Sequence, residues 1–396
     1  MPMAANPASN SSGKAEASVA TSALAPTSKQ RSKGPRGSKQ RVGWVDAAKG
    51  LCILLVVLGH AITELQAHGY YTASWEQFNF FLGPIRMPLF FLLSGLFAGK
   101  ALSESWHKLA NRRIWVMVYL YVLWVPLRDF VLFLMPYTHV EADGIVYPPS
   151  IMDTSSWQPR IYNTLHAIVE PTSYLWFLWA LAMFAVFTRA FRRVHPAVQL
   201  LAAGLLSGFA PFEPVSWSWD FITKMLFFYL LGMHGAPWLF SMVQRRNILF
   251  LGVTMAAFLS GALWVQFTYP SFNDGNVGFM RLYLSTVGAL AAVNLMALLQ
   301  GTRLVAPFEK VGGRTLPIFL MHIPMLVLVM IVFDLILPSD PQLVIMTPLV
   351  TIIAAILCLG LHKLLLAAGA KWLFVRPAWV VRLTTPGQRV FQRSAQ

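Results

Sequence analysis

Between residues 45 and 371 the chain is a succession of apolar runs, ten of them, at about 45–66, 78–98, 113–136, 173–191, 197–212, 219–241, 247–268, 278–300, 316–337 and 344–371. Most are long enough to cross a ~30 Å hydrocarbon core as a helix; 197–212 is short. In hydrocarbon every backbone N–H and C=O has to be bonded within the chain, and a continuous helix does this. The runs therefore predict an all-α fold, a polytopic transmembrane helical bundle of about ten spans. With 56% hydrophobic and 12% charged residues in 396, the chain cannot hide its apolar side chains in one water-soluble core.

The basic residues are distributed as a topology signal. Lys100, Lys108, Arg112, Arg113, Arg189, Arg192, Arg193, Arg245, Arg246, Arg303, Lys310 and Arg314 fall in the loops on the N-terminal side, whereas the opposite loops hold Arg160. That asymmetry predicts cytoplasmic N- and C-termini and an even number of spans, in a multi-pass protein of the inner (plasma) membrane. The net charge of +15 is accordingly not read as a nucleic-acid footprint, which needs a basic patch on a soluble surface. Residues 1–41, rich in Ala, Ser, Pro, Lys and Arg and without an apolar core, are expected to be a disordered basic cytoplasmic tail rather than a signal peptide. A transmembrane domain is expected over 42–375 and a short basic tail over 376–396, with no further domain after it. Cys52 and Cys358 both lie inside apolar runs, so neither a disulfide framework nor a thiolate metal site is expected.

Six basic residues remain inside the apolar runs: Lys49, Arg86, Arg128, Lys224, Arg281 and Lys363. A lone charge at mid-membrane costs at least ~2.5 kcal/mol, so each is a functional candidate, although Lys224 and Arg281 can also snorkel outward. The first run has the densest polar pattern. Lys49 and His60 are eleven residues apart, which at ~1.5 Å and ~100° per residue puts them on one stripe about 16 Å apart along a helix. Asp46 is placed to pair with Lys49, and Glu64, one turn past His60, is placed to orient the imidazole. A histidine with such a partner meets the geometric requirement of a general base, and it can equally be a hydrogen-bonding link to a neighbouring helix.

His322, between Pro317 and Pro324, is a second intramembrane histidine, and two prolines so close are expected to loosen the helix and free backbone groups. The loop from Tyr137 to Thr172 carries Glu141, Asp143, Tyr147, Trp157, Arg160, Tyr162, Asn163 and His166, a set that suits stacking on sugar rings or ordinary anchoring at the interface. His234, beside Gly235 and Pro237, reads as a helix cap. No phosphate-binding loop, HExxH or GxSxG pattern is present.

Five stretches together resemble the acyltransferase 3 family of integral membrane O-acyltransferases: WVDAAKGLCILLVVLGH from Trp44, RMPLFFLLSGLFAG from Arg86, YLWFLWAL from Tyr174, FFYLLGMHG from Phe227 and GRTLPIFLMH from Gly313. The resemblance covers 43 to about 375, and its most specific part is a basic residue and a histidine separated by ten residues, here Lys49 and His60. It implies a ten-helix bundle that takes an acetyl or succinyl-type group from cytoplasmic acyl-CoA to a carbohydrate or glycolipid hydroxyl on the other side. Acyl-CoA would be a co-substrate, with no permanently bound cofactor and no metal. Under that resemblance His60 and Glu64 are the catalytic candidates and Asp46 and Lys49 the acyl-CoA candidates. Arg86, Arg128, Trp176 and His322 are candidates for acceptor or oxyanion contacts. Where the family pattern has histidine before the Met-Pro of the second run, this chain has Arg86. The competing reading is a transporter or exporter of a polar or anionic metabolite, for which buried cations would line the path.

Overall fold

The computed structural model describes residues 42–70, 72–135, 139–140, 146–147, 161–162, 164–167, 170–171, 174–210, 217–268, 278–336 and 344–384. Its helices of seven residues or more are, in chain order, α1 Gly43–Ala67, α2 Ala73–Gly95, α3 Trp106–Leu134, α4 Trp176–Ala190, α5 Pro196–Phe209, α6 Trp217–His234, α7 Ala236–Arg245, α8 Ile248–Thr268, α9 Gly278–Leu298, α10 Ala306–Gly312, α11 Thr315–Ile336, α12 Met346–Ala367 and α13 Ala378–Thr384. A two-residue antiparallel pairing, His139–Val140 with Val146–Tyr147, is the one extended element among the described residues. The protein is a polytopic helical bundle.

Each of the ten apolar runs has become helix. Seven helices, α1, α2, α3, α8, α9, α11 and α12, are long and apolar enough to cross a membrane. The sixth run is an eighth such span only as a bent pair, because α6 and α7 meet at 69° across Gly235. His234, at that bend, does not cap its own helix: its Nε2 stands 3.3 Å from Gln199 Oε1, and the Gln199 amide donates to Phe191 O and Val194 O at the end of α4. The shorter helices α4 and α5, of 15 and 14 residues, complete the set.

The helices approach most closely at glycines. Where α2 crosses α6, Gly232 lies against the Leu92 carbonyl and Gly95 against the Tyr229 carbonyl. A side chain at either glycine would collide with a backbone carbonyl of the facing helix. α10 lies against the start of α1 in the same manner, with Gly312 on the Asp46 backbone and Gly50 on the Phe308 carbonyl. The Lys49 end of the bundle also gathers the start of α3 and the segment before α13, where Arg376 donates to Asn111 O at 2.9 Å. At the opposite end, the α1–α2 turn is tied to α11 and α12. Tyr70 donates to Asp334 at 2.7 Å, His68 Nδ1 stands 3.1 Å from the same carboxylate, and Trp75 donates to Val344 O. Burial in this tie and the Asp334 carboxylate together push the Tyr70 hydroxyl up to about 12.

The 1–41 tail, residues 385–396 and the loop residues Glu141, Asp143, Trp157, Arg160 and Asn163 lie outside the described residues. Tyr162 and His166 are described; they stack on each other at 5.8 Å, and His166 pairs with Glu170 at 3.2 Å.

Candidate functional site

α1 presents His60 to the interior of the bundle, half-buried, where α11 and the approach to α4 meet it. The His60 and His322 rings are 5.1 Å apart between centroids, and Tyr174 stands edge-on to both, 4.7 Å from His322 and 6.2 Å from His60. Two residues 262 apart in sequence and a tyrosine just ahead of α4 thus form one aromatic and imidazole cluster.

Proline chemistry explains how Tyr174 is held. Pro324 has no N–H, so the carbonyl of Leu320, four residues earlier, loses its helical donor. The Tyr174 hydroxyl donates to Leu320 O at 2.8 Å and supplies the missing bond. α11 therefore continues unbroken from Thr315 to Ile336, and the expected loosening is confined to one carbonyl filled from a neighbouring segment. His322 is fixed two residues before the proline. Its Nδ1 lies 2.8 Å from Phe319 O and 3.2 Å from Ile318 O, and since carbonyls only accept, Nδ1 carries the hydrogen. In the neutral ring Nε2 is then the basic nitrogen. The residue is fully buried.

Arg128, 2% exposed, projects from α3 with its guanidinium 5.5 Å from the Tyr174 ring centroid. It is charge-balanced by the next residue, since its Nε donates to Asp129 Oδ1 at 2.8 Å and its Nη2 bonds the same oxygen. Asp129 Oδ2 accepts from Thr164 of the following loop. A desolvated arginine needs such a partner, because removing one half of a buried pair costs several kcal/mol. Arg86 approaches α1 from α2. Its guanidinium covers Gly59, where any side chain would overlap it, so the cation lies against the residue next to His60, and its Nη1 donates to Asn79 Oδ1 at 2.8 Å.

The remaining candidates are spread around this centre. Glu64 is one turn beyond His60 and buried, at 1% exposure. Lys49 is half-buried at the other end of α1, its ammonium 5.5 Å from the Phe97 ring centroid in the turn after α2. Asp46 is in the first turn of α1, its backbone against Gly312. Trp176, nearly buried, packs on Phe91 at 5.6 Å and Phe221 at 5.4 Å, an aromatic wall behind the polar groups rather than a member of the His60 cluster. Lys224 and Arg281, for which outward snorkelling was an open reading, are instead 3% and 5% exposed.

The structure adds Tyr174, Asp129 and Asn79 to the set. Tyr174 opens the YLWFLWAL stretch, but a tyrosine at a helix start is also an ordinary interface residue. The pointer to it was Pro324, whose orphaned carbonyl demands a donor from elsewhere.

A family model described as an acyltransferase domain matches residues 42–362. The chain is similar to the inner membrane protein YcfT of Escherichia coli K12, with 26% identity over 303 residues, covering 72% of this chain and 79% of that protein. It is similar to the nodulation protein NolL of Mesorhizobium japonicum, with 26% identity over 294 residues, covering 70% of this chain and 72% of that one. No solved structure matches.

Proposed function

The chain belongs to the acyltransferase 3 family, and from that membership we propose that it takes an acetyl or succinyl-type group from cytoplasmic acyl-CoA to a hydroxyl of an extracytoplasmic carbohydrate or glycoconjugate. The observation that carries the reading is the meeting of His60 and His322 at 5.1 Å inside the bundle, with Arg86 against Gly59 and Arg128 against Tyr174. His60 takes the acceptor hydroxyl proton as its oxygen bonds to the thioester carbonyl carbon, the C–S bond breaks, and the departing CoA thiolate takes up a proton. His322, with Nδ1 already committed to backbone carbonyls, offers Nε2 as a second station for that proton. Arg86, against Gly59, is placed to oppose negative charge on the carbonyl oxygen as it develops. Glu64 acts through His60, as a positioning residue.

Lys49 and the basic residues clustered at its end of the bundle suit the phosphates of CoA, and the ~16 Å rise to His60 suits an extended pantetheine arm. This orientation puts that end in the cytoplasm, and the name of YcfT supports the inner membrane as the location. The test is mass spectrometry of surface glycans from cells with and without the gene, joined to thioester consumption by the purified protein. A missing ester and CoA release are expected. Transport of a metabolite with no thioester consumed would instead favour the transporter reading.

A further inference from the structure

Between α2, α6 and α9 lies a cavity of about 50 Å³, lined by Arg86, Arg281 and Ser285 on its polar side and by Pro88, Phe221 and Met225 on its apolar side. No Asp or Glu is among its described lining residues. Arg86, which lines the cavity, is also the residue whose guanidinium lies against Gly59 of α1, so one side chain links the two places. Arg281 is 5% exposed and donates to Ser207 O at 3.4 Å, which holds it against α5. Lys224, 3% exposed, adds a third cation, its ammonium 5.7 Å from the Phe221 ring centroid. Asp220 is buried on the same helix, one turn before Lys224. Cations at membrane depth mark places where an anion binds or passes.

Size selects among anions. A water needs roughly 10–15 Å³ of such space, so the cavity admits about four water-sized groups. That suits two methylenes against Pro88, Phe221 and Met225 and a carboxylate on the Arg281 guanidinium, with Arg86 toward the thioester, and it is too small for a sugar ring. Guanidinium is matched to a planar two-oxygen anion. We propose that this cavity is the subsite for the far carboxylate of a short dicarboxylic acyl group, of about four carbons, carried by the donor thioester. The assignment rests on the acyltransferase reading above and narrows its donor.

The test uses the purified full-length protein in nanodiscs, with succinyl-CoA and butyryl-CoA, which share chain length and differ in the terminal carboxylate. Thiol release is measured: water attacks the thioester carbonyl in place of the sugar hydroxyl, and the C–S bond breaks to give free thiol and acid. The expected kcat/KM for succinyl-CoA is at least tenfold above that for butyryl-CoA. Arg281→Gln should reduce this ratio tenfold or more, and Arg281→Lys should keep most of it. A wild-type ratio of one or less overturns the proposal without any variant. So does an Arg281→Gln protein that loses both thioesters equally, or one that loses transfer from acetyl-CoA to glycan as much as from succinyl-CoA, which would put the anion on the acceptor. Turnover of neither thioester overturns the acyltransferase reading itself, whereas preference for acetyl- or butyryl-CoA leaves that reading standing and removes this one.

Discussion

Lys49 and His60 stand on one stripe of one helix, about 16 Å apart, in unlike surroundings. At the His60 level, side chains from α1, α2, α3, α11 and the approach to α4 interlock, and His322, Tyr174 and Arg128 each have a defined partner. At the Lys49 level the ammonium meets the face of Phe97 and is half-buried, beside backbone-to-backbone packing of α10 on α1. The first arrangement fixes atoms to within a hydrogen bond, as bond-making chemistry requires. The second offers a half-buried charge, which in the proposed reading meets the polyanionic end of the donor.

The two levels should therefore fail differently. His60→Ala should lower thioester turnover about 10³-fold, the middle of what a positioned base contributes, with the protein still folded; folding is read by gel filtration in detergent. His322→Ala should cost about 10²-fold in the same assay, with the KM for the thioester nearly constant. Lys49→Ala should raise that KM about tenfold, the worth of one charge-assisted hydrogen bond, and spare kcat. A loss of kcat in the lysine variant as large as in the His60 variant would erase the distinction between the levels. The smallest effect is the most local. Tyr174→Phe should cost about 1 kcal/mol in thermal unfolding, for one hydrogen bond. In a Pro324→Ala background it should cost measurably less, because the alanine N–H competes for Leu320 O. Equal costs in the two backgrounds would break the link drawn between that proline and that tyrosine.

The membrane-spanning runs were legible because hydrocarbon leaves a helix little choice, and the Lys49 to His60 stripe because 3.6-residue periodicity fixes it within one helix. What periodicity cannot carry is contact between helices. α10, seven residues in a basic loop, shows no spanning signal, yet it packs along α1. The sixth run reads as one apolar stretch, and its 69° bend follows from Gly235 and Pro237, whose effect on direction depends on the neighbours. Arg281 and Lys224 are the clearest case. Position along a span gave both a snorkelling option, and only the packing of α5, α6 and α9 buries them. Tyr174 was hidden for the opposite reason, being an aromatic where aromatics are common.

The central claim is that residue 60 can be reached both by a thioester arriving from the Lys49 end and by a hydroxyl arriving from the other. Cys52 and Cys358 are fully buried, so a His60→Cys protein in oriented proteoliposomes reports on position 60 alone. A small membrane-impermeant thiol reagent applied at the end opposite Lys49 should label it, and CoA thioester applied at the Lys49 end should slow that labelling several-fold. Labelling that the thioester leaves untouched, or no labelling at all, would contradict the account.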